Sequence, residues 1–195
     1  WAEIAGISYR QGDRIIHNPD RPFLEDLDTL PFAVDIYRRD LDFRKYDIPF
    51  IKYPYVSFYT SRGCPAQCTF CLWPQTMSGH RIRTRSLSNV VAELKQAFHH
   101  FPAAREIFFD DDTFTWNRQR IMEFCRVFKP LDFTWSCNAR VNTDYEILKE
   151  MKNAGCRLLV VGFESGDPVI LKNIRKGATV EQARELMKNC RRLGL

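Results

Sequence analysis

Short apolar runs alternate along the chain with longer segments in which apolar residues recur every three or four positions. The alternation begins near residue 53 and occurs four times. Short runs rich in β-branched and aromatic residues predict strands, whereas the 3.6-residue period predicts amphipathic helices. A regular succession of strand and helix is typical of parallel βα units. We therefore predict an α/β fold built on a parallel sheet.

The four predicted strands are residues 55–60, 106–109, 133–137 and 157–163. Ser86 is a suitable N-cap for the helix after the first strand. The sequences Thr143-x-x-Glu146 and Thr179-x-x-Gln182 predict capping boxes at two later helices. The last predicted strand is apolar without alternation, which is typical of a parallel strand covered on both faces.

The first part of the chain differs from the rest. Residues 1–52 contain several prolines and many charges, and we predict an irregular linker that packs on the main domain. Residues 53–195 form the predicted core, which stops before a fifth strand. The chain therefore has the pattern of a piece of a longer protein.

Composition narrows the class of protein. The 195 residues are 45% apolar and carry a net charge of +5, as in an ordinary soluble globular domain. No run reaches the roughly 18 apolar residues that span a bilayer. Seven cysteines, four of them isolated among apolar residues, indicate reduced thiols and a cytoplasmic location. The one basic run, Arg81 with Arg83 and Arg85, is more typical of a solvated loop than of a nucleic-acid site, so no nucleic-acid partner is expected.

Three cysteines, Cys64, Cys68 and Cys71, follow the first predicted strand. Functional groups of parallel βα folds gather in the loops at the carboxyl ends of strands, where this triad falls. A disulfide would leave one thiol over, and a structural zinc site would need a fourth ligand, for which His80 is the nearby candidate. A 4Fe-4S cluster normally takes four cysteines, so three would leave one iron free for an outside ligand.

The spacing Cys-x-x-x-Cys-x-aromatic-Cys after the first strand of a βα series resembles the radical S-adenosylmethionine (SAM) superfamily. The resemblance implies a partial TIM-like barrel, with four of about six βα units present. It implies that Cys64, Cys68 and Cys71 bind a 4Fe-4S cluster and that SAM chelates the free iron. It further implies cleavage of SAM to a 5′-deoxyadenosyl radical that abstracts a substrate hydrogen, with electrons from a flavodoxin- or ferredoxin-type partner.

Polar residues after the second and third strands are candidate contacts of SAM. Three consecutive aspartates, residues 110–112, follow the second strand. The resemblance implies that Asp111 and Asp112 bind the SAM ammonium, whereas a solvated acidic turn is the alternative. Arg140, after the third strand, can pair with a carboxylate, either that of SAM or that of a structural salt bridge.

The fourth strand runs into residues 162–166, which are similar to the family's Gly-x-Glu-Ser-Gly segment. This similarity implies that Glu164 and Ser165 contact SAM, since a carboxylate accepts hydrogen bonds from ribose or ammonium groups. Phe70, between two cluster ligands, resembles the family aromatic residue that lies against adenine. Its alternative role is to pack the loop.

Nearly the whole chain is similar to the subgroup that joins a cobalamin-binding domain to a radical SAM core, which implies that such a domain precedes residues 1–52. Residues 59–68, 72–76 and 108–114 look most like radical SAM proteins associated with hopanoid biosynthesis. This implies a small-molecule or lipid substrate, namely a hopanoid whose sugar head becomes a cyclitol ether. Residues 48–53 mix apolar and cationic groups, as in a peripheral contact with the inner membrane face, although ordinary packing before the first strand is the favoured interpretation.

Other classes remain open at this point. One is a zinc-stabilised module that binds nucleic acid or lipid, with Cys64, Cys68, Cys71 and His80 as ligands. Another is a different cobalamin-type radical SAM methyltransferase or cyclase. An electron-transfer protein would need a fourth fixed thiolate, and the other cysteines all fall within predicted strands or helices.

Overall fold

The computed structural model describes residues 1–195 and has the predicted α/β architecture. The strands are β1 (Ser8–Gln11), β2 (Arg14–His17), β3 (Tyr55–Phe58), β4 (Ser61–Arg62), β5 (Arg83–Thr84), β6 (Glu106–Phe109), β7 (Trp135–Ala139) and β8 (Cys156–Val161). The helices are α1 (Ala33–Asp40), α2 (Leu87–His100), α3 (Arg118–Phe128), α4 (Tyr145–Asn153), α5 (Pro168–Asn173) and α6 (Val180–Leu193).

A four-stranded parallel sheet with the order β3-β6-β7-β8 forms the centre of the fold. Neighbours in the sheet are successive strands of the βα series, an arrangement that corresponds to part of a TIM-like barrel. The predicted parallel sheet is therefore confirmed. Because the strands run in one direction, all four carboxyl ends meet at one edge, where ligands bind in folds of this kind.

Capping side chains set the helix boundaries. The predicted capping box of Thr179 and Gln182 is present at α6. The predicted box at Thr143 is wrong, because Asp144 is the N-cap of α4. An aspartate one position later offers a stronger acceptor for the free N–H groups of the first turn. The Thr143 hydroxyl instead donates to the carbonyl oxygen of Arg140, at 2.7 Å.

One face of the sheet packs against α2, α3 and α4 through a large apolar cluster. Phe109 of β6 and Trp135 of β7 are fully buried there, with ring centroids 5.6 Å apart and planes at 75°. Phe124 of α3 lies 5.1 Å from Phe109 at 89°. Edge-to-face pairs of this kind each contribute about 0.5–1.5 kcal/mol beyond simple burial. The cluster thus fixes the strands whose ends carry the candidate site.

Residues 1–52 contain more regular structure than the predicted irregular linker. β1 and β2 form an antiparallel hairpin, and α1 packs on α2. The fully buried Val34 of α1 donates its N–H to the carboxylate of Glu93, at 3.2 Å, and Glu93 also pairs with Arg85 at 2.5 Å. Sequence reasoning missed α1 because this short helix buries a single side chain, too few for a helical period to be evident.

A buried ion pair closes the end of the sheet opposite the cysteines. Glu106, the first residue of β6, accepts hydrogen bonds from Arg157 at 2.8 Å and from the N–H of Lys52 at 2.6 Å. The segment of residues 48–53 lies at this end, so a membrane contact through it would hold the carboxyl edge away from the bilayer. No helix is both long and apolar enough to cross a bilayer.

Candidate functional site

The cysteine loop, residues 63–73, begins after β4 at the carboxyl edge of the sheet. Cys64, Cys68 and Cys71 line one cavity of about 250 Å³, which we name the cysteine cavity. The structure thus brings together the three thiols that the sequence spacing groups. Residues from the ends of β6, β7 and β8 line the other side of the cavity.

Two backbone hydrogen bonds and one glycine of restricted conformation fix the loop. Gly63 has φ +100°, and a Cβ there would lie 2.3 Å from the carbonyl oxygen of Arg81, so only glycine fits. The N–H of Cys64 donates to the carbonyl oxygen of Gly79, at 3.1 Å. The N–H of Thr69 donates to the carbonyl oxygen of Ile174, at 3.0 Å. The thiol-bearing segment is therefore attached to the rest of the domain at its start and at its middle.

The donor set fits an iron-sulfur cluster better than a single ion. No three His, Cys, Asp or Glu side chains converge on one point as a metal ion requires. Tetrahedral zinc would need such convergence, with Zn–S distances of about 2.3 Å. Thiolates of a cluster bind separate irons, so they need only surround a shared space, as these three do. Burial raises the pKa of Cys64, which makes its thiolate harder to form. A bound metal would offset this effect by stabilising the thiolate.

No other cysteine lies at this cavity. Cys125, Cys137 and Cys156 are buried in the apolar cluster, and Cys190 is half-buried in α6. Burial raises the pKa of Cys125 to about 12 and raises that of Cys137 strongly, as expected for inert structural thiols. His80 is exposed and does not line the cavity.

The basic run after the cysteine loop makes contacts within the protein. Arg81 pairs with Glu25, and the Arg83 guanidinium donates to the carbonyl oxygen of Ser78 at 2.8 Å. Arg85 pairs with the buried carboxylate of α2. These arginines hold β5 to its neighbours and do not present a row of free cations.

Asp111 is structural in this fold, contrary to its predicted role as a ligand contact. Its side chain is 1% exposed and does not line the cysteine cavity. The carboxylate accepts hydrogen bonds from the N–H of Thr60 at 2.6 Å, from the Thr60 hydroxyl at 2.5 Å and from the Ser61 hydroxyl at 2.8 Å. Burial raises the pKa of Asp111, and these hydrogen bonds oppose the rise.

Asp112, the other aspartate predicted to bind SAM, lines the cysteine cavity and accepts a hydrogen bond from the N–H of Gly63 at 2.8 Å. Asp110, which sequence reasoning missed, accepts from the Tyr59 hydroxyl and from the Asn138 side-chain amide, both at 3.0 Å. The signal for Asp110 is the two-residue period of β6. Its side chain continues the face of Glu106, opposite to the face that enters the apolar cluster.

Charged residues from the loops after β7 and β8 and from the segment after α5 face the thiols across the cysteine cavity. Arg140, Glu164 and Lys176 all line it. The Lys176 ammonium donates to Glu164 at 2.7 Å, and the Arg140 guanidinium donates to the Lys176 carbonyl oxygen at 2.9 Å. Lys176 was not predicted, because the fold rather than any local motif brings it to the cavity.

Two further predicted contacts differ in their placement. Phe70 lines the cavity with 54% of its surface exposed, and its ring centroid lies 5.9 Å from the Lys176 ammonium. Ser165 does not line the cavity. Its hydroxyl accepts from the N–H of Asp167, at 3.0 Å, and so shapes the turn before α5. Of the Glu-Ser pair in the motif, Glu164 thus lines the cavity and Ser165 stabilises the turn before α5.

A second cavity of about 450 Å³ adjoins the first, and we name it the Tyr59 cavity. The residues that line both cavities are Cys64, Cys71, Pro74, Asp112 and Asn138. Tyr59, Arg62 and Asp110 line the Tyr59 cavity but not the cysteine cavity. The thiols therefore border two separate spaces, each lined by charged groups.

Comparisons with known proteins agree with this geometry. The family model of the Radical SAM superfamily matches residues 58–195. An uncharacterized methyltransferase of Pyrococcus horikoshii is 35% identical over 98% of this chain and 41% of its own length. Cytidylyl-2-hydroxyethylphosphonate methyltransferase of Streptomyces wedmorensis is 31% identical over 99% of this chain and 41% of its own length. The chain thus spans about two fifths of these relatives.

A solved structure supports the fold. The cobalamin-dependent SAM radical enzyme OxsB with aqua-cobalamin bound is similar to the whole chain with a TM-score of 0.75, at 22% identity and over 29% of that protein. At 22% identity, the similarity shows that the two proteins share the arrangement of strands and helices. It supports the parallel βα series as part of a larger barrel.

Proposed function

The chain belongs to the radical SAM superfamily, and on that premise we propose that the full-length protein binds a 4Fe-4S cluster at Cys64, Cys68 and Cys71 and cleaves SAM reductively. The observation that carries the proposal is the set of three thiols on one cavity with no fourth cysteine there. When bound, such a cluster supplies the electron that breaks the sulfonium bond and gives a 5′-deoxyadenosyl radical. We propose a flavodoxin- or ferredoxin-type protein as the electron donor.

The polar lining of the cysteine cavity supports SAM as its ligand. We assign the SAM ammonium to Asp112, whose carboxylate uses one oxygen for Gly63 and keeps acceptor sites free. We assign the SAM carboxylate to Arg140, whose guanidinium offers a planar set of donors. Glu164 accepts hydrogen bonds from the ribose hydroxyls, and its pairing with Lys176 orients its carboxylate.

We propose a hopanoid bearing a sugar-type head group as the substrate, with formation of a cyclitol ether as the outcome. Support comes from the resemblance of residues 59–68, 72–76 and 108–114 to radical SAM proteins of hopanoid biosynthesis. Further support is a patch of exposed apolar side chains on and beside the cysteine loop, which suits a substrate with an apolar body. The patch consists of Phe70, Leu72, Trp73 and Met77.

Methyl transfer is the second candidate function. The two relatives described above, at 35% and 31% identity, are named as methyltransferases, which favours this alternative. We propose cobalamin as a further cofactor in that case, bound by a part of the protein outside these 195 residues. The two candidates differ in their products, since methyl transfer from SAM leaves S-adenosylhomocysteine.

Anaerobic reconstitution of the full-length protein with iron and sulfide tests the proposal. We expect a brown protein, a spectral change on titration with SAM, and 5′-deoxyadenosine after addition of a reductant. S-adenosylhomocysteine among the products would select methyl transfer. A colourless protein that retains a single zinc ion would refute the cluster, and a brown protein that does not respond to SAM would refute the assigned ligand.

A further inference from the structure

The Tyr59 cavity contains charged groups that the assigned SAM contacts do not use. The guanidinium carbon of Arg62 lies 3.6 Å from the ring centroid of Tyr59, in a close stacking contact. Arg62 is half-buried and forms no ion pair, although eight other arginine, lysine and histidine side chains pair with carboxylates. A half-buried guanidinium held flat by an aromatic ring is preorganised to accept an oxyanion in two parallel hydrogen bonds.

Asp110 provides a second polar anchor on the same scaffold. The Tyr59 hydroxyl and the Asn138 amide each donate to one of its oxygens, at 3.0 Å. Burial and the neighbouring Asp110 raise the pKa of Tyr59, so the phenol keeps its proton and remains a donor. An ionised carboxylate has about four acceptor sites, so two remain for a ligand that donates hydrogen bonds.

Tyr59 thus connects the two anchors, because its ring supports Arg62 and its hydroxyl orients Asp110. Trp73 and Met77 complete the wall of the cavity and are 58% and 66% exposed. Cys64 and Cys71 border the cavity, so a ligand there would lie beside the cluster that we propose. This is the location that a substrate needs if a radical formed at the cysteine cavity is to reach it.

We propose that the Tyr59 cavity is the substrate subsite and that it takes a hydroxylated oxyanion, with a phosphate or carboxylate on Arg62 and a hydroxyl group on Asp110. The inference rests on the proposed function for the radical chemistry, but the ligand preference follows from the cavity alone. It narrows the substrate to molecules that carry an acidic group close to a hydroxyl. A hopanoid meets this requirement only if its sugar-type head group also carries such an acidic group.

Isothermal titration calorimetry on the full-length, reconstituted protein tests the proposal with simple probes. The probes are glycerol 3-phosphate, glycerate, inorganic phosphate and glycerol, each titrated with and without saturating SAM. We expect glycerol 3-phosphate or glycerate to bind at least about tenfold more tightly than phosphate or glycerol, because only the first two engage both anchors. Tighter binding of glycerol 3-phosphate would indicate a phosphate substrate, and tighter binding of glycerate would indicate a carboxylate substrate.

Three variants assign the anchors. Arg62→Gln is expected to weaken binding of the preferred probe at least about tenfold. Asp110→Asn is expected to reduce the difference in affinity between that probe and inorganic phosphate. Arg81→Gln removes the same charge from a residue that pairs with Glu25 outside the cavity, and is expected to keep the affinity. Circular dichroism melting curves establish that each variant is folded, and Arg62→Lys, which keeps the charge without the planar stack, is expected to bind with intermediate affinity.

Several results would overturn the inference. Equal probe affinity in wild type and in a folded Arg62→Gln variant would remove Arg62 from the subsite, and an equal loss in Arg81→Gln would indicate general electrostatic attraction. Displacement of the probe by SAM or by cobalamin would assign Arg62 to a cofactor. A wild-type protein that shows no spectral response to SAM but still binds the probe through Arg62 would refute the proposed function and leave the subsite intact.

Discussion

The N–H of Gly63 donates a hydrogen bond to the carboxylate of Asp112, at 2.8 Å. This contact joins the loop after β4 to the loop after β6, and it orients the one aspartate of residues 110–112 that borders both cavities. The first thiol of the triad is the next residue along the chain. A single hydrogen bond therefore sets the relative position of a cluster ligand and a proposed SAM contact.

Gly63→Ala should prevent cluster assembly. The residue has φ +100°, and the added Cβ would lie 2.3 Å from the carbonyl oxygen of Arg81, so the loop would have to move. We expect iron content after reconstitution to fall to a small fraction of that of the wild type. Gly166→Ala is the matched control, since a Cβ there meets no atom within 4 Å. Full iron content in Gly63→Ala would contradict the assigned rigidity of this turn.

Cys68→Ala should abolish cluster assembly and SAM cleavage together. Only three thiols line the cavity, so removal of one leaves no further thiolate to replace it. Iron analysis, visible spectra and quantification of 5′-deoxyadenosine provide the measurements. Cys190→Ala, in α6, should behave as the wild type. Formation of 5′-deoxyadenosine by the Cys68→Ala protein would count decisively against the assigned ligands.

Asp111→Ala should destabilise the domain by about 2–4 kcal/mol, because three hydrogen bonds are lost and the buried N–H of Thr60 is left without an acceptor. Urea denaturation curves of the two proteins measure the difference. A change below about 0.5 kcal/mol would show that the carboxylate is not structural.

The buried carboxyl of Asp111 also predicts a pH dependence. Burial raises its folded-state pKa above the ordinary value of 3.8, so the folded protein binds this proton more tightly than the unfolded chain. Its contribution to the free energy of unfolding therefore falls as the pH rises from 3.8 through the raised folded-state pKa, and is constant above it. The stability of wild type relative to Asp111→Asn should decrease across that window. An increase would reverse the assigned direction.

Glu164→Ala should weaken SAM binding about tenfold and leave the cluster in place. The side chain lines the cysteine cavity and pairs with Lys176, whereas no backbone N–H depends on it. Titration of the reconstituted protein with SAM, with iron content measured in parallel, separates the two effects. Glu146→Ala, on the exposed side of α4, is the control. Unchanged affinity for SAM would exclude Glu164 as a contact.

Alkylation should distinguish two classes of thiol. In the cluster-free native protein we expect iodoacetamide to modify Cys64, Cys68 and Cys71, which line an open cavity. Cys125 should remain unmodified at neutral pH, because it is buried and its pKa of about 12 leaves almost no thiolate. Peptide mass spectrometry gives the pattern, and reconstitution should protect the three cavity thiols. Rapid native labelling of Cys125 would contradict the packing of the apolar cluster.

Local sequence signals were sufficient for much of the fold. The bounds of β6 agree with the prediction, and Ser86 and Thr179 cap the expected helices. The sequence alone could not distinguish the roles of residues 110–112, because it does not show in which direction each of the three adjacent side chains points. Their partners Tyr59 and Thr60 are about fifty residues away in the sequence. Lys176 has no local signal at all and reaches the site only through the fold.

The hydrogen bond from Thr69 to the carbonyl oxygen of Ile174 has a mechanical consequence. Thr69 stands between the second and third thiols, and Ile174 directly follows α5, the helix that begins beyond Glu164 and Ser165. A ligand that shifts this helix when it engages Glu164 would pull on the chain between two sulfur donors. Occupancy of one side of the site would then be transmitted, through one backbone hydrogen bond, to the geometry of the metal ligands.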